Sequence, residues 1–392
     1  MKAGMRGMAA VAMCLLAGAT AYCSHSAPKV SNSWDPKAAA SYLDYREGWW
    51  MGWQVAARDH GTFCVSCHTA LTYALARPAL RTALAERAPS VNERALIENV
   101  TKRVRLWKET GPYFGDQGYE HRAAESRGTE SVLNVLILAN RDAQLGKLSD
   151  DTRTAFENMW AQQLTTGENR GSWLWLQFDL EPWEANDSGY YGAALAAMAV
   201  GLAPENNEST AEIQNHLALL REYLHRESAT QSTLNRVFLL WASTQLPGLL
   251  QPEQQKMIVN EVLSKQQADG GWRLASLTWN GWSLRGLVNM WIRQDGTLMD
   301  GKSDGLATGL ITLVLQQVGV PRDNAKLKHG LSWLMSNQNA AEGLWPAISL
   351  NERRKISSDT GRFMSDAATA YAVLALTESQ RTPSPVASAS NR

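Results

Sequence analysis

Three segments of this chain, residues 188–201, 305–315 and 367–376, are apolar on nearly every side and crowded with small residues. A helix without a polar face has to be buried all round, and each of these is too short to span a membrane. The segments between them carry one apolar face only. Ile213, Leu217, Leu220 and Leu224 fall at i, i+4, i+7 and i+11 behind the capping box Ser209-Thr210-Ala211-Glu212. Phe156, Trp160 and Leu164 repeat that face, as do Leu327, Leu331 and Leu334, and residues 95–106 and 254–263 read alike. Residues 129–139 and 232–242 join the apolar set, and nowhere is there the alternation of a strand. The chain is therefore expected to be all-α, built of hairpins in which outer amphipathic helices alternate with inner apolar ones. Each of the three apolar segments opens at an aspartate, Asp187, Asp304 or Asp366, preceded by Asn or Ser. These aspartates are expected to cap their helices by accepting the unpaired N–H groups of the first turn.

One motif carries chemistry of its own. Phe63-Cys64-Val65-Ser66-Cys67-His68 contains a complete C-x-x-C-H, the attachment signature of a c-type haem. Two cysteines three positions apart on one helical turn can both form thioethers to the haem vinyl groups, and His68 is then carried under the iron as an axial ligand. Three other readings compete: a Cys64–Cys67 disulfide, a zinc knuckle and a redox dithiol. Zinc asks for four ligands, and only His60 is near in sequence. A redox C-x-x-C expects a βαβ context. The sixth ligand of a haem iron is open, with His60, His121, Met51 and Met364 as candidates. A helix is expected to follow from Thr69 and to break at Arg77-Pro78.

The N-terminus reads as a signal peptide over residues 1–21. Lys2 and Arg6 precede an apolar run that ends in the small-x-small pattern Ala19-Thr20-Ala21. The expected destination is the periplasm, where bacterial haem attachment is completed. Cys23 offers a lipid anchor as an alternative, against which stands the bulky Tyr22. Lys+Arg and Asp+Glu both number 38, so no net field draws the chain to nucleic acid or an anionic membrane. With Cys14 in the signal, only Cys23, Cys64 and Cys67 remain, too few for a disulfide framework. The expected organisation is a haem-attachment segment over 22–90, a helical-repeat domain over 91–380 and a disordered tail over 381–392.

Sixteen tryptophans stand against six phenylalanines, and part of that excess recurs in a pattern. Gln266 to Gly270-Gly271-Trp272 fits Q-x3-G-x-W, Gln338 to Gly343-Leu344-Trp345 fits with one more residue, and Gln163 to Gly171-Ser172-Trp173 with a longer insertion. These resemble the QW repeats of squalene–hopene and oxidosqualene cyclases, and more loosely those of protein prenyltransferase β subunits, the α/α-toroid superfamily. The resemblance runs over residues 91–379. It implies an α/α toroid of about five to six hairpins, Gln–Trp pairs that brace helix ends, and a central aromatic-lined cavity. Trp175, Phe178, Trp183, Tyr190, Tyr191 and Trp241 would then line a cavity for an isoprenoid or other apolar molecule. The cyclases begin with a proton from an Asp-x-Asp-Asp motif. Here the matching stretch is Glu184-Ala185-Asn186-Asp187, where Asn186 replaces the donor and leaves Glu184 and Asp187 as the acids. The prenyltransferases use zinc held by a toroid cysteine, and this chain has no cysteine beyond Cys67.

Together these features predict an exported protein with one covalent haem c on a toroid, acting as an oxidoreductase on an isoprenoid or other apolar substrate. Its alternatives are an electron-transfer cytochrome, with the toroid as scaffold and a redox partner protein, and a terpene cyclase with an altered acid. Residues 273–302, with Trp279, Trp282 and Trp291, read as a rim insertion, either a lid or an elaborated loop. Residues 351–364, with Arg353, Arg354, Lys355 and Arg362 beside Asp359, read as a salt-bridged solvated rim.

Overall fold

The computed structural model describes residues 33–118, 120–204, 211–278 and 288–381. The signal segment, Cys23, Ser209-Thr210 of the capping box, Trp279, Trp282 and the tail from Thr382 lie outside the described residues. In chain order the helices are α1 (Pro36–Gly52), α2 (Ala70–Ala83), α3 (Val91–Arg105), α4 (Arg122–Leu145), α5 (Asp150–Ala161) and α6 (Ser188–Leu202). They continue with α7 (Ala211–Glu227), α8 (Thr233–Gln245), α9 (Pro252–Ser264), the short α10 (Ala275–Thr278), α11 (Gly305–Gln317), α12 (Ala325–Ser336) and α13 (Phe363–Gln380). Among the described residues the fold is all-α apart from one short hairpin, β1 (Ala57–Arg58) with β2 (Thr62–Phe63).

Within residues 32–392 the apolar helices pack in a cycle. α2 lies against α4, α4 against α6, α6 against α8, α8 against α11, α11 against α13, and α13 against α2 again. The amphipathic helices flank them: α1 on α2 and α13, α3 and α5 on α4, α7 on α6, α9 on α8, α12 on α11 and α13. Small residues permit the close approach of neighbours; a Cβ on Gly309 of α11 would stand 2.6 Å from the backbone N of Ala372 in α13. The helix that follows the C-x-x-C-H is thus one of the six and closes the cycle.

The Gln–Trp pairs have one repeated geometry. The indoles of Trp173, Trp272 and Trp345 donate to the carbonyls of Met159, Val262 and Leu334, in the last turns of α5, α9 and α12. Each glutamine amide bridges its own glycine carbonyl to the next outer helix. Gln163 joins Gly171 to His216, Gln266 joins Gly270 to Lys326, and Gln338 joins Gly343 to Asp35. The last bond ties α12 to the start of α1. Gly171, Gly270 and Gly343 all have left-handed φ values, which glycine adopts without strain.

Several local expectations are corrected. α2 runs unbroken through Pro78. The carbonyl of Ala74, which loses its helical partner there, accepts instead from the Asn140 side chain at 3.0 Å. Leu164 lies beyond the end of α5. Asp304 caps α11, accepting from Ala307 N at 2.9 Å, but Asp187 and Asp366 do not cap. Asp187 accepts from the Asn235 side chain of α8. α13 begins at Phe363, which leaves Asp366 inside the first turn.

Candidate functional site

Cys64, Val65 and Ser66 follow β2 outside any helix or strand, and Cys67 to Thr69 form the turn that leads into α2. The two cysteines therefore do not share a helical turn. Ser66 fixes where the helix starts, because its hydroxyl accepts from Thr69 N and Ala70 N. The approach to the motif is pinned on both sides. The Asn99 side chain accepts from Phe63 N at 2.8 Å and donates to Phe63 O at 3.0 Å. The Trp50 indole donates to Cys64 O at 2.8 Å.

His68 is oriented by a chain of hydrogen bonds from three helices. Its Nδ1 is 2.7 Å from Thr69 Oγ1, and Thr69 Oγ1 donates to Asp366 Oδ2 at 2.7 Å. The other carboxylate oxygen of Asp366 accepts from Arg46 Nε at 2.8 Å and Tyr42 OH at 2.7 Å, both on α1. Burial pushes the Asp366 carboxyl up, while Arg46, Tyr42 and Thr69 all favour its ionised form; with a guanidinium in contact, the carboxylate is the form these donors fit. The hydroxyl of Thr69 has one proton, given to Asp366, so it accepts from His68 Nδ1–H. That assignment leaves Nε2 with its lone pair.

Rings enclose the imidazole. Phe363 stacks on it with centroids 3.9 Å apart, Trp50 meets it edge-on at 5.1 Å, and Trp183 lies at 6.2 Å. Burial first, then the Arg46 and Arg354 charges, lower its pKa from 6.5 to about 3. His68 is thus a neutral base throughout the physiological range. Burial pushes the Cys64 thiol up to about 11 and holds Cys67 well above its ordinary value. Reactive dithiols work by a lowered pKa, so these thiols do not suit that role. They are not joined to each other. Among the described residues, no three His, Cys, Asp or Glu side chains gather as a metal site.

Cys67, His68 and Met364 line one recess of about 140 Å3 with Trp183, Glu181 and Glu184. Burial, with Asp187 adding to it, raises the Glu181 carboxyl to about 8; burial raises Glu184 to about 7. The donor types suit a haem, two free thiols three positions apart in sequence and a neutral imidazole with an available Nε2, but of the two thiols only Cys67 lines the recess. The space is below the roughly 300–1,000 Å3 of ordinary ligand pockets, so a macrocycle on His68 requires Phe363 to leave its stack.

The other predicted residues separate. Met364 shares the recess, whereas His60 sits on the exposed turn between β1 and β2 and His121 on an exposed left-handed residue before α4. Met51 is half-buried near the end of α1. Trp183 lies beside His68. Phe178 packs on Phe114 and under Arg122. Tyr190 donates to Leu224 O. Trp175 meets Tyr191, Tyr191 meets Phe238, and Phe238 and Trp241 both meet Tyr371. Because α8 and α13 are not neighbours in the cycle, these last contacts cross its interior. Trp241 also lines a well of about 300 Å3 at the C-terminal ends of all six apolar helices. Asp187 is exposed, in a separate groove with Asn186.

The rim residues of 351–364 are partly solvated pairs, Arg354 with Glu352 and Arg362 with Glu342, but Asp359 reaches inward to Arg46. The described part of the 273–302 insertion bonds to that rim through Gln294 N to Leu350 O and Asp295 N to Asn351 O. Sequence reasoning missed Arg46 and Tyr42, and it read Thr69 and Asp366 as a helix start and a helix cap rather than as partners of His68. The signal was there: Arg46 and Glu47 interrupt an otherwise apolar buried stripe of α1 that includes Tyr42, Leu43 and Trp50. No family model matches the chain, and no curated protein matches it.

Proposed function

We propose that this chain is an exported redox protein that carries one c-type haem, covalently held by Cys64 and Cys67 and ligated by His68, on an α/α-toroid scaffold. The observation that carries the reading is the path from His68 Nδ1 through Thr69 to Asp366, which leaves Nε2 as an acceptor beside Cys67. Such outer partners fix the tautomer of a ligating histidine and raise its basicity. The cycle of apolar helices and the three Gln–Trp braces support the toroid. Haem, when bound, supplies one-electron chemistry. The residues of the chain orient the imidazole, exclude water with Trp50 and Trp183, and keep two acids at the recess.

Electron exchange with a partner protein is the role best supported, because Met364 stands in the recess with His68 and aromatic side chains meet across the interior of the cycle. Oxidation of an apolar or isoprenoid substrate is the second reading. It is favoured by Glu181 and Glu184, which carry protons near neutral pH in the same recess. A cyclase role would rest on Glu184 alone.

The test is expression with the signal segment in cells that mature c-type cytochromes, followed by reduced absorption spectra with and without CO. A covalent haem spectrum indifferent to CO, lost in His68→Ala, is expected. A spectrum that shifts with CO moves the role to the second reading. A wild-type chain without haem overturns the proposal, and activity on squalene abolished by Glu184→Gln would then establish the cyclase.

A further inference from the structure

The well at the C-terminal ends of the six apolar helices is lined in layers one helical turn apart. On α8, α11 and α13 the lining residues are i, i+4 pairs: Trp241 with Gln245, Leu313 with Gln317 and Leu374 with Glu378. The deeper member of each pair is apolar and the one nearer the helix end is polar. α4 adds Gln144, its next-to-last residue. Helices whose middles are apolar thus end in three glutamines and a glutamate around a single opening. The recess at His68 and the groove with Asp187 lie at the starts of these helices, so the well is at the opposite end.

The polar atoms around this opening are unevenly committed. Asn140 and Gln144 give amide N–H groups to Ala74 O and Asn140 O, and Gln245 to Thr244 Oγ1 and Gln317 Oε1. Among the described residues nothing donates to the side-chain oxygens of Asn140 and Gln245, or to the second oxygen of Glu378. Glu378 is turned in, its side chain 23 % exposed, while its partner Arg381 is 67 % exposed. The helix ends add charge of the same sign. Each C-terminus carries roughly half a negative charge, and α4, α6, α8, α11 and α13 have no basic residue in their last turns. Arg81 of α2 is taken by Glu93 and Gln144, and Arg322 by the carbonyl of Arg381. Deeper in lies Trp241, 7 % exposed, with the ring type that attracts a cation best. We propose that this well binds a small organic ammonium ion. Its alkyl chain rests on Trp241, Leu313 and Leu374, and its head is held by the Glu378 carboxylate within the ring of amide oxygens. An ammonium has donors and no acceptor, which is what uncommitted oxygens require. A space of about 300 Å3 is at the small end of ligand sites, which fits a short-chain amine and not a lipid.

The site is independent of the haem reading, and its test reads binding alone. Butylammonium, 1-butanol and butyrate share one alkyl chain and are titrated calorimetrically into the purified full chain at low ionic strength. Butylammonium is expected to bind tighter than 1-butanol by about tenfold or more, and butyrate to bind weakest. Glu378→Gln should weaken butylammonium by about tenfold and leave 1-butanol unchanged. Gln245→Leu removes one rim oxygen and no charge, and should weaken butylammonium by about threefold. This second variant also serves if the first does not fold. 1-Butanol binding as tightly as butylammonium, or butyrate binding more tightly, overturns the proposal. So does a butylammonium affinity that neither variant lowers, because the ion then sits elsewhere on the protein. Absence of any butylammonium binding overturns it as well.

Discussion

The repeat around α11 and the repeat around α13 use the same parts and put them to different ends. In the first, Trp272 N donates to Thr308 Oγ1 and Leu274 N to Asp304. In the second, Trp345 N donates to Thr369 Oγ1 and Ala347 N to Ser365 Oγ. Matched by these bonds, Ser365 and not Asp366 is the counterpart of Asp304. Asp366 is left over, one position further on, and is spent on Tyr42, Arg46 and Thr69. The comparison teaches that the structural repeat is complete without Asp366, and that a buried carboxylate surplus to the repeat marks the place where the cycle closes on the C-x-x-C-H.

Asp366→Asn should break the comparison most severely. It leaves the guanidinium of Arg46, almost fully buried, with only the half-exposed Asp359 as an anionic partner. Loss of one member of such a buried pair typically costs 3–5 kcal/mol, so about 4 kcal/mol is expected in chemical denaturation. Haem loading should fall with it, because a single amide oxygen is left for the three donors Tyr42, Arg46 and Thr69, and the chain that fixes the His68 tautomer is broken. Full stability with full haem content would remove Asp366 from the site.

The first repeat was legible in the sequence because Asp304 does the job that its position before an apolar run implies. The second misled because Ser365-Asp366 looks the same in one dimension, and only the register of Thr369 against Trp345 tells the two apart. The all-α class and the alternation of helix types follow from one-dimensional patterns, since burial of an all-apolar helix leaves few arrangements. The cysteines were legible as a motif, but their local shape was not. Ser66 starts α2 after His68, a side-chain-to-backbone choice that competes with helix and that propensity does not reveal. Thr69 and Asp366 are hundreds of positions apart, and nothing short of packing brings them together.

Glu47 sharpens the contrast from the other side, because the charged network at α13 carries a cost. The folded-state pKa of Glu47 is raised from 4.5 to about 8. Below pH 4.5 the group is protonated in the folded and the unfolded chain alike and costs nothing. As pH rises toward 8 the unfolded chain ionises and the folded one resists, so stability is lost over that interval. Glu47→Gln removes the difference. The variant should gain on the wild type from about pH 4.5 to about pH 8, by on the order of 3 kcal/mol at pH 7. A stability gap that does not widen with pH would mean that Glu47 has a partner in solution.

The braces differ as well. Gly270 and Gly343 are both left-handed, so alanine costs roughly 1–2 kcal/mol at either. At Gly343 a Cβ would also stand 2.3 Å from Ala38 O of α1, against 3.1 Å from His329 at Gly270. Backbone at 2.3 Å has to move, and α1 carries Tyr42 and Arg46. Gly343→Ala should therefore lose about 2 kcal/mol more than Gly270→Ala, and it should weaken haem retention while the other does not.

Asp304→Ser is the mildest change and the most direct test of the equivalence. If Asp304 and Ser365 occupy one structural position, serine at 304 keeps an acceptor for Leu274 N, as Ser365 does for Ala347 N. It gives up the second oxygen that accepts from Ala307 N. One hydrogen bond of this kind is worth about 1 kcal/mol. Against that stands a relief: burial, opposed by backbone N–H groups, raises the Asp304 carboxyl to about 6, so the folded wild type pays for ionisation at neutral pH and a serine does not. The two effects oppose: relief of the shift from 3.8 to about 6 is worth about 3 kcal/mol at pH 7 and the lost bond about 1, so the variant should be the more stable by about 2 kcal/mol there. Below about pH 3, where Asp304 is protonated in both states, only the lost bond remains and the variant should be the less stable one. A loss of about 3 kcal/mol at pH 7 would mean that Asp304 bears a load that Ser365 does not, and the surplus of Asp366 would then no longer follow from the repeat.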